Sequence, residues 1–210
     1  MDVLENSSGG YDSGYRACRC FWGPDPGSLV RRFVSDCTNL SGLHVLDVGC
    51  GEGKNAVFLA QRGAVVHAMD VSPWAIENAQ RNFGSVPNVT WAVADVREVE
   101  LLPDAYDLVV AYGVFHCLRD FDDVRRVVNR LQRCTRMNGH HIVCSFNNRD
   151  QDLEQAHPGF RPCLLSHASY VDLYCDWNPL FISDSDLIET HPHNNIEHRH
   201  SMTRLIARRT

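Results

Sequence analysis

The sequence predicts an α/β fold with a mostly parallel sheet and helices on both of its faces. Short apolar segments alternate with amphipathic helical segments between residues 43 and 147, which is the order of β-α-β units. The apolar segments are nearly continuous, as parallel strands are when helices cover both faces of their sheet. The length of 210 residues and the 44% hydrophobic composition fit a single domain.

Five strands and three helices are predicted in this region, and two more strands near the C-terminus complete a seven-stranded sheet. Ser72 is the expected N-cap of the second helix, with Pro73 at the first helical position. A polar turn joins the last two strands, which we expect to form an antiparallel hairpin at the sheet edge. The strands are predicted at 43–49, 64–70, 89–96, 106–115, 140–147, 187–193 and 201–209, and the helices at 54–63, 72–83 and 122–139.

Charge and hydropathy exclude several classes of partner. The formal net charge of -6 gives no basic surface for nucleic acid or for an anionic membrane. No segment approaches the ~20 consecutive apolar residues that a membrane-spanning helix requires. The N-terminal residues lack the apolar run of a signal peptide, so we expect a cytoplasmic protein with mostly reduced cysteines. We also expect it to be a monomer or a homodimer.

The most informative stretch is DVGCGEG, residues 47–53, where the first strand is predicted to pass into a helix. Glycines at alternate positions permit positive φ and leave the backbone uncovered, so a ligand can approach it closely. Ligands of open α/β sheets bind beyond the carboxyl ends of the strands. Asp70 ends the second strand, where a carboxylate can hold two ribose hydroxyls.

Three types of nucleoside-binding turn compete for this stretch. A P-loop needs Ser or Thr after its lysine, whereas Lys54 is followed by Asn55. A dinucleotide fingerprint needs glycine at position 54. The pattern that remains is GxGxG, with Asp47 two residues ahead of the first glycine.

With these residues the sequence resembles the class I S-adenosylmethionine-dependent methyltransferases over about residues 40–147. The resemblance implies a Rossmann-like fold and S-adenosyl-L-methionine as cofactor. Residues 47–53 match the motif that contacts the methionine part, Asp70 matches the ribose-binding acid, and 94–96 match the adenine-binding motif. The cofactor-binding residues that it implies are Asp47, Gly49, Cys50, Gly51, Gly53, Asp70, Val71, Asp95, Val96, Tyr112, Tyr11, Tyr15 and Trp22.

Outside this core the sequence is most similar to the TehB-like tellurite-resistance and thiol methyltransferases. YDSGY at 11–15 and FWGPDP at 21–26 resemble their N-terminal helix and loop, which close over the cofactor. The single domain then divides into N-terminal helices and lid at 1–40, cofactor-binding core at 41–148, substrate-side insertion at 149–180 and C-terminal hairpin at 181–210.

Each acid has a structural alternative. Asp47 can order the glycine loop through its own hydrogen bonds, Asp70 can cap the following helix, and Asp95 can be a turn residue. Three acids at three successive strand ends are difficult to explain by capping alone, which favours the cofactor site. The aromatic residues of the N-terminal segment can equally be packing residues.

The expected reaction is methyl transfer to a small-molecule nucleophile: a thiol or chalcogen, or a hydroxyl or amine of a metabolite. A thiolate needs no general base, whereas a hydroxyl can need one. His116 follows the fourth strand and is expected to act as a base or to contact the substrate; its alternative is an imidazole satisfied by the backbone. The substrate-side insertion adds candidate substrate contacts at His157, Phe160, Arg161 and His167.

Two further clusters suggest metal or metalloid chemistry. Histidines at i and i+2 share one face of a strand, so a C-terminal hairpin can bring four imidazoles together for a divalent metal; exposed histidines of an edge hairpin are the alternative. The four candidate ligands are His191, His193, His198 and His200. Thiolates of the N-terminal and insertion cysteines can bind a metalloid substrate or can be structural; these are Cys18, Cys20, Cys163 and Cys175.

Two other classes of function compete with a methyltransferase. The first is a non-catalytic, nucleoside-binding regulatory protein that keeps the fold, which the intact glycine loop and acids disfavour. The second is an NAD(P)-dependent oxidoreductase, which Lys54 in place of a glycine disfavours. The choice of methyl acceptor lies beyond the sequence.

Overall fold

In a computed structural model that describes residues 11–37, 39–190 and 195–210, seven strands form one sheet in the order β3-β2-β1-β4-β5-β7-β6. The first five strands in this order run parallel to one another. Strand β7 runs antiparallel to both of its neighbours, β5 and β6. The predicted parallel sheet with an antiparallel C-terminal hairpin is confirmed. The strands are β1 His44–Val48, β2 Val65–Asp70, β3 Val89–Val93, β4 Tyr106–Tyr112, β5 Thr135–Gln151, β6 Asn178–Glu189 and β7 His198–Arg208.

The helix that follows β2 begins at the cap that the sequence predicts. The Ser72 hydroxyl accepts a hydrogen bond from the Ala75 N–H at 3.2 Å, which confirms this N-cap. In the described part of the chain, no helix has both the length and the apolarity to cross a membrane. The helices are α1 Asp12–Ala17, α2 Ser28–Asp36, α3 Lys54–Ala60, α4 Pro73–Phe83, α5 Phe121–Cys134, α6 Leu153–Ala156 and α7 His167–Asp172.

Two hydrophobic layers, one on each face of the sheet, hold the strands in place. On one face, α2, α3 and α4 pack their apolar side chains against alternate residues of the strands, such as Val45 and Leu108. On the other face, α5 and the aromatic residues of the α7 region cover the intervening residues, such as Leu46 and Val109. Burial on both faces explains why the parallel strands are continuously apolar.

Several boundaries differ from the sequence prediction. The helix predicted at 122–139 ends at Cys134, because the Thr135 hydroxyl donates to the Leu131 carbonyl at 2.7 Å and the chain enters β5 there. The strands predicted at 89–96 and 106–115 end at Val93 and Tyr112.

The C-terminal hairpin is longer than predicted. Strand β6 begins at Asn178, within the predicted insertion. Its exposed face carries Leu180 and Ile182 while its half-buried face carries Ser183 and Ser185, so the usual apolar alternation of an edge strand is missing. The predicted strand 187–193 includes positions 191–193, which lie outside the described residues.

Candidate functional site

The carboxyl ends of the parallel strands open into a cavity of about 380 Å³. Its floor is formed by the glycine turn after β1, the end of β2 and the segments that follow β3 and β4. The N-terminal segment around α1 and the loop before α2 close it from above. This is the edge of an open α/β sheet where ligands are expected.

The glycine turn brings bare backbone to the cavity. Gly49, Gly51 and Gly53 have φ values of 60°, 53° and 84°, a region that favours glycine. A Cβ atom on Gly49 would lie 2.3 Å from a methyl carbon of Val114, and one on Gly53 would lie 2.3 Å from a ring carbon of Trp91. Larger residues are therefore excluded, and the backbone of Gly51 and its neighbours faces the cavity.

Asp70 supports this turn and also lines the cavity. Its Oδ2 accepts a hydrogen bond from the Gly51 N–H at 2.8 Å, and its Oδ1 accepts one from the Ser72 N–H at 2.9 Å. Burial raises the pKa of Asp70, while these two N–H groups act in the opposite direction. Each carboxylate oxygen keeps a further lone pair, so the side chain can also accept hydrogen bonds from a ligand.

Asp47 lies beneath the turn and does not line the cavity. Its side chain is 1% exposed, and the Ala56 N–H favours its ionised form. Burial and the nearby Asp70 raise the pKa of Asp47 to about 8. Within the described residues its Oδ2 has no hydrogen-bond partner. The structure therefore places Asp47 as a support of the glycine turn, and Gly53 likewise lies outside the cavity lining.

The segment after β3 adds Asp95 and Val96 to the cavity wall. Arg97 forms an ion pair with Asp95, with Nη2 at 2.5 Å from Oδ2. Burial raises the pKa of Asp95, but the hydrogen bonds and charge of Arg97 outweigh it and hold that pKa below its usual range. Asp95 is therefore an ionised hydrogen-bond acceptor beside the buried side chain of Val96.

The N-terminal aromatic residues form a lid that is tied to the core. Trp22 donates its indole N–H to the Tyr15 hydroxyl at 2.8 Å, and the Tyr11 ring lies 4.9 Å from the Trp22 ring. Asn78 of α4 donates to the Tyr15 carbonyl at 2.7 Å, and Lys54 donates to the Trp22 carbonyl at 3.0 Å. The three aromatic residues line the cavity, as does Tyr112 from below.

His116 lies in the cavity wall as a neutral imidazole. Burial lowers its pKa to about 3, and His200 and His157 contribute to this shift. The Phe146 N–H donates to His116 Nδ1 at 3.2 Å, so Nδ1 is the unprotonated nitrogen and Nε2 carries the proton. This arrangement suits a hydrogen-bond donor better than a general base, because the free lone pair already has a partner.

None of the four candidate substrate residues of the insertion lines this cavity. Phe160 packs behind it, with its ring 5.0 Å from Tyr11 and 6.1 Å from His116. Arg161 forms an exposed salt bridge with Glu154, with the two charged atoms 2.6 Å apart. The His167 ring lies 3.1 Å from the Thr203 hydroxyl.

The histidine cluster differs from the predicted one. His191 and His193 lie outside the described residues, while His198 and His200 are buried on β7. These two meet His157 from the end of α6: one nitrogen of each ring lies within 4.8 Å of the others. From the sequence, His157 is predicted to contact the substrate. Because it is far from β7 along the chain, the sequence does not reveal that it lies beside these two histidines.

The four candidate metalloid-binding cysteines occupy different surroundings. Cys20 lines the cavity, Cys18 packs with the lid aromatics, Cys163 packs against the α5 side of the core, and Cys175 is exposed.

Several cavity residues escaped the sequence reasoning. Lys54 is the only lysine of the chain and follows the glycine turn directly, a signal that could have identified it. Glu52 and Asn55 belong to the same local stretch, whereas Phe146, Leu187, Glu189 and Met202 reach the cavity only through the tertiary fold.

Comparison with known proteins shows what part of the chain is similar to. Residues 45–139 match the family described as a methyltransferase domain. An uncharacterised methyltransferase of Mycobacterium tuberculosis (strain ATCC 25618 / H37Rv) is 34% identical over 102 residues, which cover 49% of this chain and 50% of that relative. The chain thus spans about half the length of this curated relative.

Three solved structures share the fold across most of the chain. One, described for the conversion of a disulfide bond into a thioacetal group during echinomycin biosynthesis, has a TM-score of 0.76 at 23% identity and covers 96% of this chain and 92% of its own. TehB from Haemophilus influenzae has 0.72 at 17% identity, covering 97% and 67%. Magnesium protoporphyrin IX methyltransferase from Synechocystis PCC 6803, with bound SAM, has 0.64 at 19%, covering 100% and 85%.

Proposed function

We propose that this chain, a class I S-adenosylmethionine-dependent methyltransferase by its fold and its domain at residues 45–139, methylates a thiol or another chalcogen of a small molecule. One observation carries the proposal. A single cavity joins a glycine turn and the carboxylates of Asp70 and Asp95 on one side to His116 and a group of apolar side chains on the other. The first side suits the cofactor and the second suits a methyl acceptor.

The residues of the cavity fit S-adenosylmethionine. The turn at Gly51 leaves the space that a Cβ atom would fill, so the methionine part can lie against backbone. Asp70 is available to the ribose hydroxyls, and Asp95 with Val96 to the adenine amino group and ring. The cofactor supplies a methyl group activated by its sulfonium charge, and its transfer to a thiolate requires no proton removal.

The acceptor side of the cavity supports a thiolate. Phe146, Leu187 and Met202 give it an apolar, polarisable wall, and His116 can donate a hydrogen bond from Nε2. Lys54 brings a positive charge to the same space, which favours the ionised form of a thiol. A hydroxyl or amine acceptor can need a base, and the engaged Nδ1 of His116 does not provide one.

Calorimetry tests the cofactor part of the proposal. We expect S-adenosylhomocysteine to bind and NAD not to bind, with affinity at least about tenfold lower in Asp70→Ala, or roughly 1.4 kcal/mol. The exposed Asp36→Ala is the matched control and should bind like the wild type. Binding of NAD instead would indicate an oxidoreductase, and unchanged affinity in Asp70→Ala would remove Asp70 from the site.

Methyl transfer from labelled S-adenosylmethionine tests the acceptor part. A panel of thiols, selenols, phenols and amines should give product with the thiols and selenols only. The pH midpoint of the rate should move with the pKa of the thiol used, because the acceptor ionises by itself. Transfer to phenols or amines alone would contradict the thiol assignment, and binding without any transfer would favour a regulatory protein.

A further inference from the structure

We propose that His157, His198 and His200 form a binding site for a divalent transition-metal ion, with zinc as the expected ion. The three imidazoles come from two parts of the chain that are distant in sequence, the end of α6 and strand β7. One nitrogen of each lies within 4.8 Å of the other two. All three side chains are buried, and His200 is 0% exposed.

The strand geometry places the ligands on one face. His198 and His200 are two residues apart in β7, so their side chains point to the same side of the sheet. Their ring centroids are 4.8 Å apart, and the His157 ring lies 5.6 Å from His200 and 5.8 Å from His198. A tetrahedral zinc ion with Zn–N bonds of about 2.0–2.1 Å needs nitrogens roughly 3.3 Å apart, which small side-chain rotations provide.

The hydrogen bond of His198 sets its tautomer. Its Nδ1 lies 2.7 Å from the Ile196 carbonyl oxygen, and a carbonyl can only accept, so Nδ1 carries the proton. The lone pair of the neutral ring is then on Nε2. Metal-bound histidines commonly donate their other ring N–H to a backbone carbonyl in this way, which fixes the ring orientation.

Gln151 sets the tautomer of His200 equally clearly. The Gln151 side-chain nitrogen donates to the Asn147 carbonyl at 2.8 Å and to the Ser201 carbonyl at 2.7 Å, which fixes the orientation of the amide. Its Oε1 therefore accepts from His200 Nδ1 at 2.8 Å. The lone pair is on His200 Nε2, which is buried and has no hydrogen-bond partner among the described residues. A buried acceptor in this state requires an explanation, and a bound ion is one.

The surroundings can balance the charge of such an ion. Glu189 of β6 pairs with His198 in the antiparallel register, so both side chains point to the same face. A carboxylate there offsets part of the double positive charge. Three neutral imidazole nitrogens, with an oxygen ligand at the fourth coordination position of the metal, form a donor set suited to zinc, cobalt or nickel.

The proposed site is separate from the methyl-transfer cavity but adjoins it. The Phe146 ring lies between the two, stacked on His200 at 4.1 Å and on His116 at 4.0 Å. His157 also contacts the lid, with its ring 5.5 Å from Tyr11. An ion would therefore hold the end of α6 to the C-terminal hairpin and support the lid from behind.

Metal analysis of the untagged, full-length protein tests this inference without reference to methyl transfer. After loading with zinc and removal of the excess, we expect one zinc per chain, and a higher melting temperature than in the chelator-treated protein. Cobalt should give the visible absorption of a tetrahedral site. Substoichiometric zinc in the loaded wild type, together with no such absorption, would overturn the proposal.

Phenylalanine substitutions test the ligands individually. His157→Phe keeps the aromatic contact with Tyr11 and removes the nitrogen, so zinc affinity should fall at least about tenfold. His200→Phe should have the same effect. His140→Phe, in a half-buried histidine that packs on Phe33, is the matched control and should keep the wild-type affinity. Wild-type zinc affinity in both cluster variants would exclude these ligands, even if a metal binds elsewhere.

Discussion

The two halves of the sheet carry different chemistry at the edge where the parallel strands end. The β1-β2-β3 half presents a glycine turn with the carboxylates of Asp70 and Asp95, while the β4-β5-β7 half presents imidazoles, aromatic rings and apolar side chains. The carboxylates can accept hydrogen bonds and attract positive charge. The imidazole of His116 is neutral, because burial lowers its pKa to about 3. The contrast is what a sulfonium cofactor and a soft nucleophile would each require.

On the cofactor half, the largest expected effect comes from an alanine substitution at Gly51, with the same substitution at Gly42 as its control. Gly51→Ala places a Cβ atom 3.0 Å from the Tyr15 hydroxyl, where backbone should meet the ligand. We expect the affinity for S-adenosylhomocysteine to fall about 100-fold, or roughly 2.7 kcal/mol, in calorimetry. Gly42→Ala is the control, since Gly42 also has positive φ but nothing within 4 Å of its Cβ position. Both variants should lose similar stability, about 1–2 kcal/mol, and equal affinities would refute the close approach.

In the same half of the sheet, Asp47→Asn should abolish a decrease in stability that the wild type shows as the pH rises. Burial and Asp70 raise the pKa of Asp47 to about 8, so the folded protein retains a proton that the unfolded chain releases near pH 4. The free energy of unfolding of the wild type therefore falls as the pH rises between these values, by at most about 1.4 kcal/mol per pH unit. The asparagine cannot ionise.

Urea unfolding at about pH 5 and about pH 6.5 measures this difference. Between these conditions the variant should gain about 2 kcal/mol on the wild type, given the linkage between protons and folding. The exposed Asp36→Asn serves as the control. Parallel stability profiles for the wild type and Asp47→Asn would show that Asp47 is ionised in the folded protein.

His116→Asn should affect the acceptor half alone. The asparagine oxygen can still accept the Phe146 N–H, but the donor at Nε2 is lost. We expect kcat/KM for the acceptor to fall about tenfold, near the 1–1.5 kcal/mol of one hydrogen bond, while S-adenosylhomocysteine affinity stays within about twofold. The shape of the pH profile should not change, because the imidazole is already neutral. If the pH profile of the rate lost its lower-pH limb in the variant, His116 would instead be identified as a base.

Trp22→Phe is expected to give the smallest effect, on the lid that covers both halves. The variant loses the 2.8 Å hydrogen bond from the indole to the Tyr15 hydroxyl but keeps an aromatic ring. Affinity for S-adenosylhomocysteine should fall about fivefold, or roughly 1 kcal/mol. The more exposed Trp74→Phe should bind normally. A full loss of binding would mean that the indole contacts the ligand directly.

The same comparison explains which features the sequence could predict. The glycine turn, Asp70 and the Ser72 cap depend on residues close in sequence, so their local patterns predict strand, turn and helix. Asp47 is predicted against the cofactor, whereas the structure buries it under the turn and outside the cavity lining. Spacing alone could not separate a cofactor contact from a structural acid, because both can occupy the end of β1.

The histidine half depends on contacts between distant segments. His157 and His200 are 43 positions apart in the numbering, and only the docking of α6 on β7 brings them together. The early end of α5 also depends on a specific side-chain contact, because the Thr135 hydroxyl bonds to His141 within β5. The periodicity of apolar residues along the sequence does not predict such contacts.

A crystal structure with S-adenosylhomocysteine would show directly whether this cavity binds the cofactor. We expect the ribose hydroxyls within hydrogen-bond distance of Asp70, the adenine beside Asp95 and Val96, and the sulfur facing His116. A ligand bound outside this cavity, or one whose ribose does not contact Asp70, would exclude this assignment of the cofactor site.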